Sequence, residues 1–390
     1  MKVGLVSPYD WSHPGGVSDH IRHLGGQLRG LGHEVRVLAP SARKDVKEPG
    51  VYRIGGVVSV PVNDSVARIT LSLNLARQVE DILERERFDV LHLHEPFMPA
   101  LPLTVLRLSR TANVGTFHAF ARSNLGYYYG RPFFASYLRR LQETIAVSRP
   151  AREFVRQYFP QADPRIVPNG VDTETFRPGH SPIRHLRDDM FNVLFLGRLE
   201  KRKGLNDLLL GFRHLQLRHP RSRLIIVGDG PLRSRVEHGV ARLRLENVVL
   251  AGYVPESVKP RYYASADVAC FPATGGESFG VVILEAMASG LPVVATEVPG
   301  YLSVVEAGKD SITVRPRTPV ELGAALTVLA RDAALRERLG AAALQKARHY
   351  AWRDVAVRVI EVYQSARAQL AESEDSKQHV HDAVSGLGSA

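Results

Sequence analysis

The sequence predicts an α/β protein built from two Rossmann-like, doubly wound domains that face a cleft. Three observations lead there. Short β-branched runs alternate with longer amphipathic stretches over almost all of the 390 residues. The alternation stops in residues 169–189, where Gly, Pro and charged residues dominate, and then begins a second time. The apolar runs end in polar residues, as parallel strands buried on both faces do when ligands gather at their carboxyl ends.

In order along the chain, residues 2–7 read as a first strand, 17–31 as a helix and 33–39 as a second strand. Residues 90–94, 113–118 and 144–148 are further strands of the first half. The linker carries Pro168-Asn169-Gly170-Val171-Asp172 and Arg177-Pro178-Gly179-His180-Ser181-Pro182, all turn formers. The second half shows strands at 192–197, 223–227, 247–251, 268–272, 292–296 and 311–314. These patterns place an N-terminal domain at 1–175, a C-terminal domain at 190–350, a C-terminal helix at 351–370 and a disordered tail at 371–390, the last from its polar, Gly/Ser-rich composition.

Composition narrows the function. Cys270 is the single cysteine, so no disulfide forms within the chain and a reducing compartment fits. No run approaches the roughly 20 apolar residues of a membrane span. The first residues turn polar too soon for a signal peptide, and a cytoplasmic location is expected. The net charge of +11 favours anionic partners: phosphates, nucleic acid or an acidic membrane face.

Three segments carry chemistry. The first βα turn ends in Gly15-Gly16-Val17, which lets backbone N–H groups approach an anion at a helix N-terminus. It is not the G-x-G-x-x-G of nicotinamide enzymes. Gly197-Arg198-Leu199-Glu200-Lys201-Arg202-Lys203-Gly204 follows the first strand of the second half, where Arg198 and Lys203 could neutralise a departing diphosphate. Thr274-Gly275-Gly276-Glu277-Ser278-Phe279-Gly280-Val281 leads into a helix that carries Glu285. Ser278 is suited to cap that helix, so that the amides of Phe279, Gly280 and Val281 face phosphate oxygens, with Glu277 at the sugar and Glu285 at the ribose. His118 ends a strand and can donate to a reacting hydroxyl or phosphate. His92 and His94 alternate on one strand face; no third metal ligand matches them, and structural hydrogen bonding is expected for both.

Those residues, with Leu91-His92-Leu93-His94-Glu95-Pro96 and Thr116-Phe117-His118, resemble a family 4 retaining glycosyltransferase of the GT-B fold. The resemblance covers everything but the tail. It is nearest to the family's phosphatidylinositol mannosyltransferases, through Pro8-Tyr9, Asn63, Ser65-Val66-Ala67-Arg68 and the Glu277 segment. It implies His118, Arg198, Lys203 and Glu277 as catalytic residues. Gly16, Ser278, Phe279, Gly280, Val281 and Glu285 would hold the donor, and Tyr9, Asn63 and Arg68 the acceptor. The N-terminal domain would take the acceptor, the C-terminal domain the nucleotide diphosphate sugar, and the last helix would cross back to the N-terminal domain. The implied reaction moves a hexose, mannose from GDP-mannose, to a lipid-linked or phosphate-bearing acceptor such as phosphatidylinositol. It retains configuration and needs no cofactor and no metal.

Two departures from that pattern stand out. The helix after Arg68 carries Arg77, Arg85 and Arg87 against Glu80, Asp81, Glu84 and Glu86, so its pull on anionic lipid is weak. Ala119-Phe120-Ala121 follows His118 where small hydroxylated residues stand in those enzymes. Residues 101–160 instead combine nine Arg and two Glu with Phe120, Tyr127, Tyr128, Tyr129, Phe133, Phe134 and Tyr137. This fits either a headgroup surface for a peripheral position on the inner membrane face or aromatics filling a core. The alternatives are a UDP-sugar enzyme with a soluble or other lipid acceptor, a nucleic-acid-binding protein and a nicotinamide oxidoreductase. The last two are disfavoured because the basic residues are scattered without a reading motif and the glycine fingerprint is missing, so no nucleic-acid partner is expected.

Overall fold

The computed structural model describes residues 1–13, 15–42, 48–62, 65–70, 74–119 and 125–387. The chain forms two compact units, residues 1–168 with 353–390 and residues 169–352.

In the first unit the apolar runs become β1 (Lys2–Val6), β2 (Glu34–Ala39), β3 (Val51–Arg53), β6 (Val90–His94), β7 (Ala112–Phe117), β8 (Glu143–Ala146) and β9 (Arg165–Ile166). They form one parallel sheet in the order β3-β2-β1-β6-β7-β8-β9. Between them lie α1 (Gly16–Gly30), α2 (Leu75–Glu86), α3 (Leu101–Leu108), α4 (Leu125–Leu138) and α5 (Arg149–Tyr158), and β4 (Val57–Val62) and β5 (Ser65–Thr70) make a separate antiparallel hairpin. Burial explains the strand composition: Val90, Leu91 and Leu93 are solvent-inaccessible, as both faces of a parallel strand demand. Helix α2 shows the complementary pattern, burying Leu75, Val79 and Ile82 at helical spacing. The aromatic residues of α4 divide between the two expectations: Tyr127 and Phe134 pack on Phe97 in the core, whereas Tyr128, Tyr129 and Phe133 are exposed.

The second unit contains β10 (Phe191–Leu196), α6 (Leu205–Gln216), β11 (Ser222–Val227), α7 (Arg233–Arg242), β12 (Val248–Gly252), α8 (Lys259–Tyr263), β13 (Val268–Phe271), α9 (Val281–Ala288), β14 (Val293–Thr296), α10 (Pro299–Leu302), β15 (Ser311–Val314), α11 (Pro319–Arg331) and α12 (Ala333–Ala347). Its parallel sheet runs β12-β11-β10-β13-β14-β15. The order doubles back between β10 and β13, as it does between β1 and β6 in the first unit. At such a reversal the crossovers leave in opposite directions and open a crevice beyond the strand carboxyl ends. Val193, Phe195, Leu208, Phe212, Leu224 and Leu326 form the core between the second sheet and its helices.

The final helix, α13 (Trp352–Leu387), belongs from Arg353 onward to the first unit. Tyr363 hydrogen-bonds His92, and Ser365 and Gln369 donate to the Glu143 carboxylate. Two boundaries differ from the sequence reading. Residues 169–175 belong to the second unit because Val171 bridges Ala351 and Gly170 lies against Trp352. Residues 371–387 continue the helix where a disordered tail was expected. That segment has no Pro, and its Ala, Glu, Gln and Lys are strong helix formers. Ser376 and His379 also bond to the carbonyls of Glu372 and Asp375, four residues back.

A Cβ at Gly170 would lie 2.5 Å from the Trp352 ring, too close to accommodate without movement. Gly170→Ala is therefore expected to destabilise the protein by about 1–3 kcal/mol in urea unfolding, the usual cost of overpacking.

Candidate active site

The chemistry-bearing residues gather at the reversal point of each sheet. In the second unit, β10 ends at Leu196 and Gly197 turns the chain with φ 157°. Arg198 follows, its Nε 3.1 Å from Glu200 Oε1 and its side chain 65% exposed. Residues Lys201–Lys203 form a 3-10 turn closed by Gly204, whose φ of 69° suits glycine. A Cβ there would meet the Pro272 carbonyl at 1.8 Å, so only glycine lets the turn lie against the loop leaving β13. The Thr274 N–H donates to the Arg202 carbonyl at 2.8 Å and fastens the same two segments.

This contact brings Lys203 to Glu277, Nζ to Oε1 at 2.8 Å, with both side chains nearly buried. Arg202 donates to the same carboxylate oxygen at 2.5 Å and its Nε reaches Glu200 at 3.1 Å. Arg198, Glu200, Arg202, Glu277 and Lys203 thus form one connected charge network. Burial lowers the Lys203 pKa from its ordinary value, while the Glu277 carboxylate opposes that shift and holds the proton on. Gly300 supports Glu277 from below: a Cβ at Gly300 would strike the Glu277 carbonyl at 2.1 Å.

Helix α9 starts at Val281 with Gly280 at its cap and no side-chain capping bond. The expected cap by Ser278 is therefore corrected. The left-handed φ of Gly280 (156°) ends the loop two residues later, so the helix opens at Val281 and Val282. Phe279 is buried, and Val281 is 38% exposed. Glu285 is buried, accepting from the Tyr263 hydroxyl at 2.8 Å with Lys259 Nζ at 3.8 Å.

In the first unit, His94 ends β6 and His118 stands one residue beyond β7. The parallel register pairs His94 with Thr116, so His118 rises just past it, and His94 Nδ1 meets His118 Nε2 at 2.9 Å. His20, on α1, lies edge-on to both rings with centroids at 5.2 and 4.8 Å. Burial pushes His94 and His118 well below the usual histidine range and His92 to about 3, so all three rings are neutral at pH 7. Glu95 accepts the His118 and Ala119 N–H groups, each at 2.7 Å, and burial raises its pKa to about 7. Its backbone is left-handed, φ 49°, a strained conformation for a non-glycine residue. Burial, followed by the Glu95 charge, raises the Tyr9 pKa and keeps its hydroxyl protonated. Gly16 opens α1 with nothing within 4 Å of a Cβ, so packing does not demand glycine there. Arg68 lies on β5 opposite Ser59. Asn63 and Phe120 lie outside the described residues.

Sequence reasoning missed His20, Glu95 and Arg202 as site residues. Arg202 had a readable signal, since Glu200, Arg202 and Lys203 crowd opposite charges into four residues. Glu95 and His20 had none, because their positions depend on the register of β1, β6 and β7. His92 bonds through both ring nitrogens, to Tyr363 at 2.8 Å and Thr116 at 2.6 Å.

Two parallel sheets whose reversal points carry a cationic network and a histidine cluster define a GT-B type of glycosyltransferase architecture. Sucrose-phosphate synthase from Thermosynechococcus elongatus has this fold, with a TM-score of 0.77 at 20% identity over 94% of this chain and 99% of that one. So does Anabaena HepE in complex with UDP, with a TM-score of 0.76 at 20% identity over 94% and 100%. "Glycosyltransferase Family 4" matches residues 14–175, and "Glycosyl transferases group 1" matches residues 179–346. The phosphatidyl-myo-inositol mannosyltransferase of Mycobacterium leprae is 35% identical over 370 residues, spanning 94% of this chain and 97% of that protein. The chain belongs to the family 4 glycosyltransferases and is a hexosyltransferase.

The buried titratable groups set a pH dependence. The three depressed histidines contribute stability that is present above pH 6.5 and lost as the unfolded chain takes up protons below it. Glu95 acts in the opposite sense: its contribution is present below its unfolded value and lost as pH rises through about 7. Stability is expected to rise between pH 5 and 7, by about 1.4 kcal/mol per pH unit for each net proton. Glu95→Gln removes the opposing contribution, so its thermal midpoint should climb more steeply with pH than that of the wild type.

Proposed function

We propose that this protein transfers mannose from GDP-mannose to the inositol ring of phosphatidylinositol, with retention of configuration and without a metal. The observation that carries the reading is the buried Lys203–Glu277 pair, joined to Arg202 at the end of the first βα turn of the second unit. Two cations on one carboxylate, in the loop that leads toward the N-terminus of α9, suit a diphosphate that gains negative charge as it leaves. The 35% identity to a phosphatidyl-myo-inositol mannosyltransferase supports the choice of hexose and acceptor.

In this mechanism the second unit binds the donor. Arg198, Lys203 and the α9 amides take the diphosphate, and Glu277 orients the sugar hydroxyls. Glu285 turns from Tyr263 to the ribose. The acceptor lies at the first unit, where Tyr9 meets the inositol phosphate and neutral His118 hydrogen-bonds the acceptor or sugar. The acceptor hydroxyl oxygen bonds to the anomeric carbon as the bond from that carbon to phosphate oxygen breaks. A phosphate oxygen on the same face takes the hydroxyl proton, so GDP leaves and configuration is kept. Exclusion of water then protects the donor from hydrolysis.

Among the described residues no helix is long and apolar enough to cross a membrane. Contact with the lipid is assigned to α4, where Tyr128, Tyr129 and Phe133 are 67%, 77% and 53% exposed beside Arg131.

Lys203→Ala should lower kcat by about 10²–10³ with radiolabelled GDP-mannose and phosphatidylinositol, the usual cost of one donor to a developing anion. A wild-type rate in that variant, or transfer from UDP-hexoses in preference to GDP-mannose, would contradict the assignment. Replacing Tyr128, Tyr129 and Phe133 together with Ser should reduce co-sedimentation with phosphatidylinositol vesicles while leaving the melting temperature within a few degrees.

A further inference from the structure

One ring nitrogen each of His20, His94 and His118 lies within 4.8 Å of those of the other two. The three residues come from α1, the end of β6 and the residue beyond β7, so the tertiary fold assembles the cluster. All three are at least nine-tenths buried. His94 has no accessible surface, and the nitrogen it turns to the cluster is Nδ1, 2.9 Å from His118 Nε2. Neighbouring His92 is the contrast within the same stack, since Tyr363 and Thr116 occupy both of its nitrogens.

We propose that His20, His94 and His118 form a binding site for one divalent transition-metal ion of the zinc class. Imidazole nitrogens select zinc, nickel or copper over magnesium or calcium, which prefer oxygen. Bonds of about 2.0–2.1 Å to a tetrahedral zinc ion set ligand nitrogens about 3.3 Å apart. His94 Nδ1 and His118 Nε2 already stand 2.9 Å apart, and exchanging their mutual hydrogen bond for two metal bonds needs a shift of tenths of an ångström. His20, edge-on to both rings, closes the third side by side-chain rotation. Three protein ligands leave a fourth position for water. Resting on the role of His118 proposed above, the ion competes with the acceptor and acts as an inhibitor, not a cofactor.

The test titrates the chelator-treated full chain with Zn2+ by calorimetry and with Co2+ by visible absorption. One equivalent should bind, with the intense ligand-field bands of a tetrahedral cobalt site. His20→Gln and His118→Gln should each weaken binding at least about tenfold, whereas exposed His238→Ala should not. X-ray absorption of the zinc-loaded wild type needs no variant and should show about three imidazole ligands. Binding in both glutamine variants equal to wild type, or a zinc shell of oxygen ligands, would overturn the site. Failure of zinc to bind leaves the transferase reading intact. Zinc that binds at these histidines but leaves transfer unchanged overturns the acceptor role of His118 and leaves the metal site standing.

Discussion

A lysine that folding buries beside a carboxylate governs the second unit. Taking Lys203 out of water is costly, and Glu277, itself nearly buried, is the main group that helps the ammonium keep its proton. The local backbone serves that pairing. Gly204 admits the Pro272 carbonyl, the Thr274 amide ties the loop to Arg202, and Gly300 admits the Glu277 carbonyl. Glu277 shares one oxygen between Lys203 and Arg202, so two cations converge on a single carboxylate.

The first unit solves a related problem with neutral groups. Its reversal point holds a column of imidazoles that burial keeps uncharged, next to a carboxyl whose pKa is raised to about 7. The left-handed backbone at Glu95 is the cost of turning its carboxylate back onto the amides of His118 and Ala119. That bond ties the end of β6 to the end of β7 and holds His118 in place.

The period of the apolar residues made most of both sheets legible, because strands buried on both faces cannot avoid being runs of Val, Leu and Ile. The short strands β3 and β9 and the β4–β5 hairpin lacked that signal: their residues are few, or pair outside a sheet core. In the site, Lys203, Glu277 and Arg198 were readable from charge placed just after an apolar run. The Ser278 cap was misjudged because a serine before a helix reads as a cap, whereas the left-handed geometry at Gly280 starts the helix later. Helical spacing marked Glu285 but could not reveal that Tyr263 faces it from another helix. The tail was misread because composition reports average polarity, while helix formation responds to the order of Ala, Glu, Gln and Lys and the lack of Pro.

The chain enters and leaves the second unit at neighbouring points, with the Val171 amide donating to the Tyr350 carbonyl and the Trp352 amide to that of Val171. The last long helix then returns to the first unit, where Tyr363 bonds a histidine in the middle of the sheet. On the ribosome the first unit is therefore left incomplete until α13, which follows the whole second unit, has emerged. The second unit, contiguous in sequence, has all its strands available sooner, so the unit synthesised first is the one that finishes folding last.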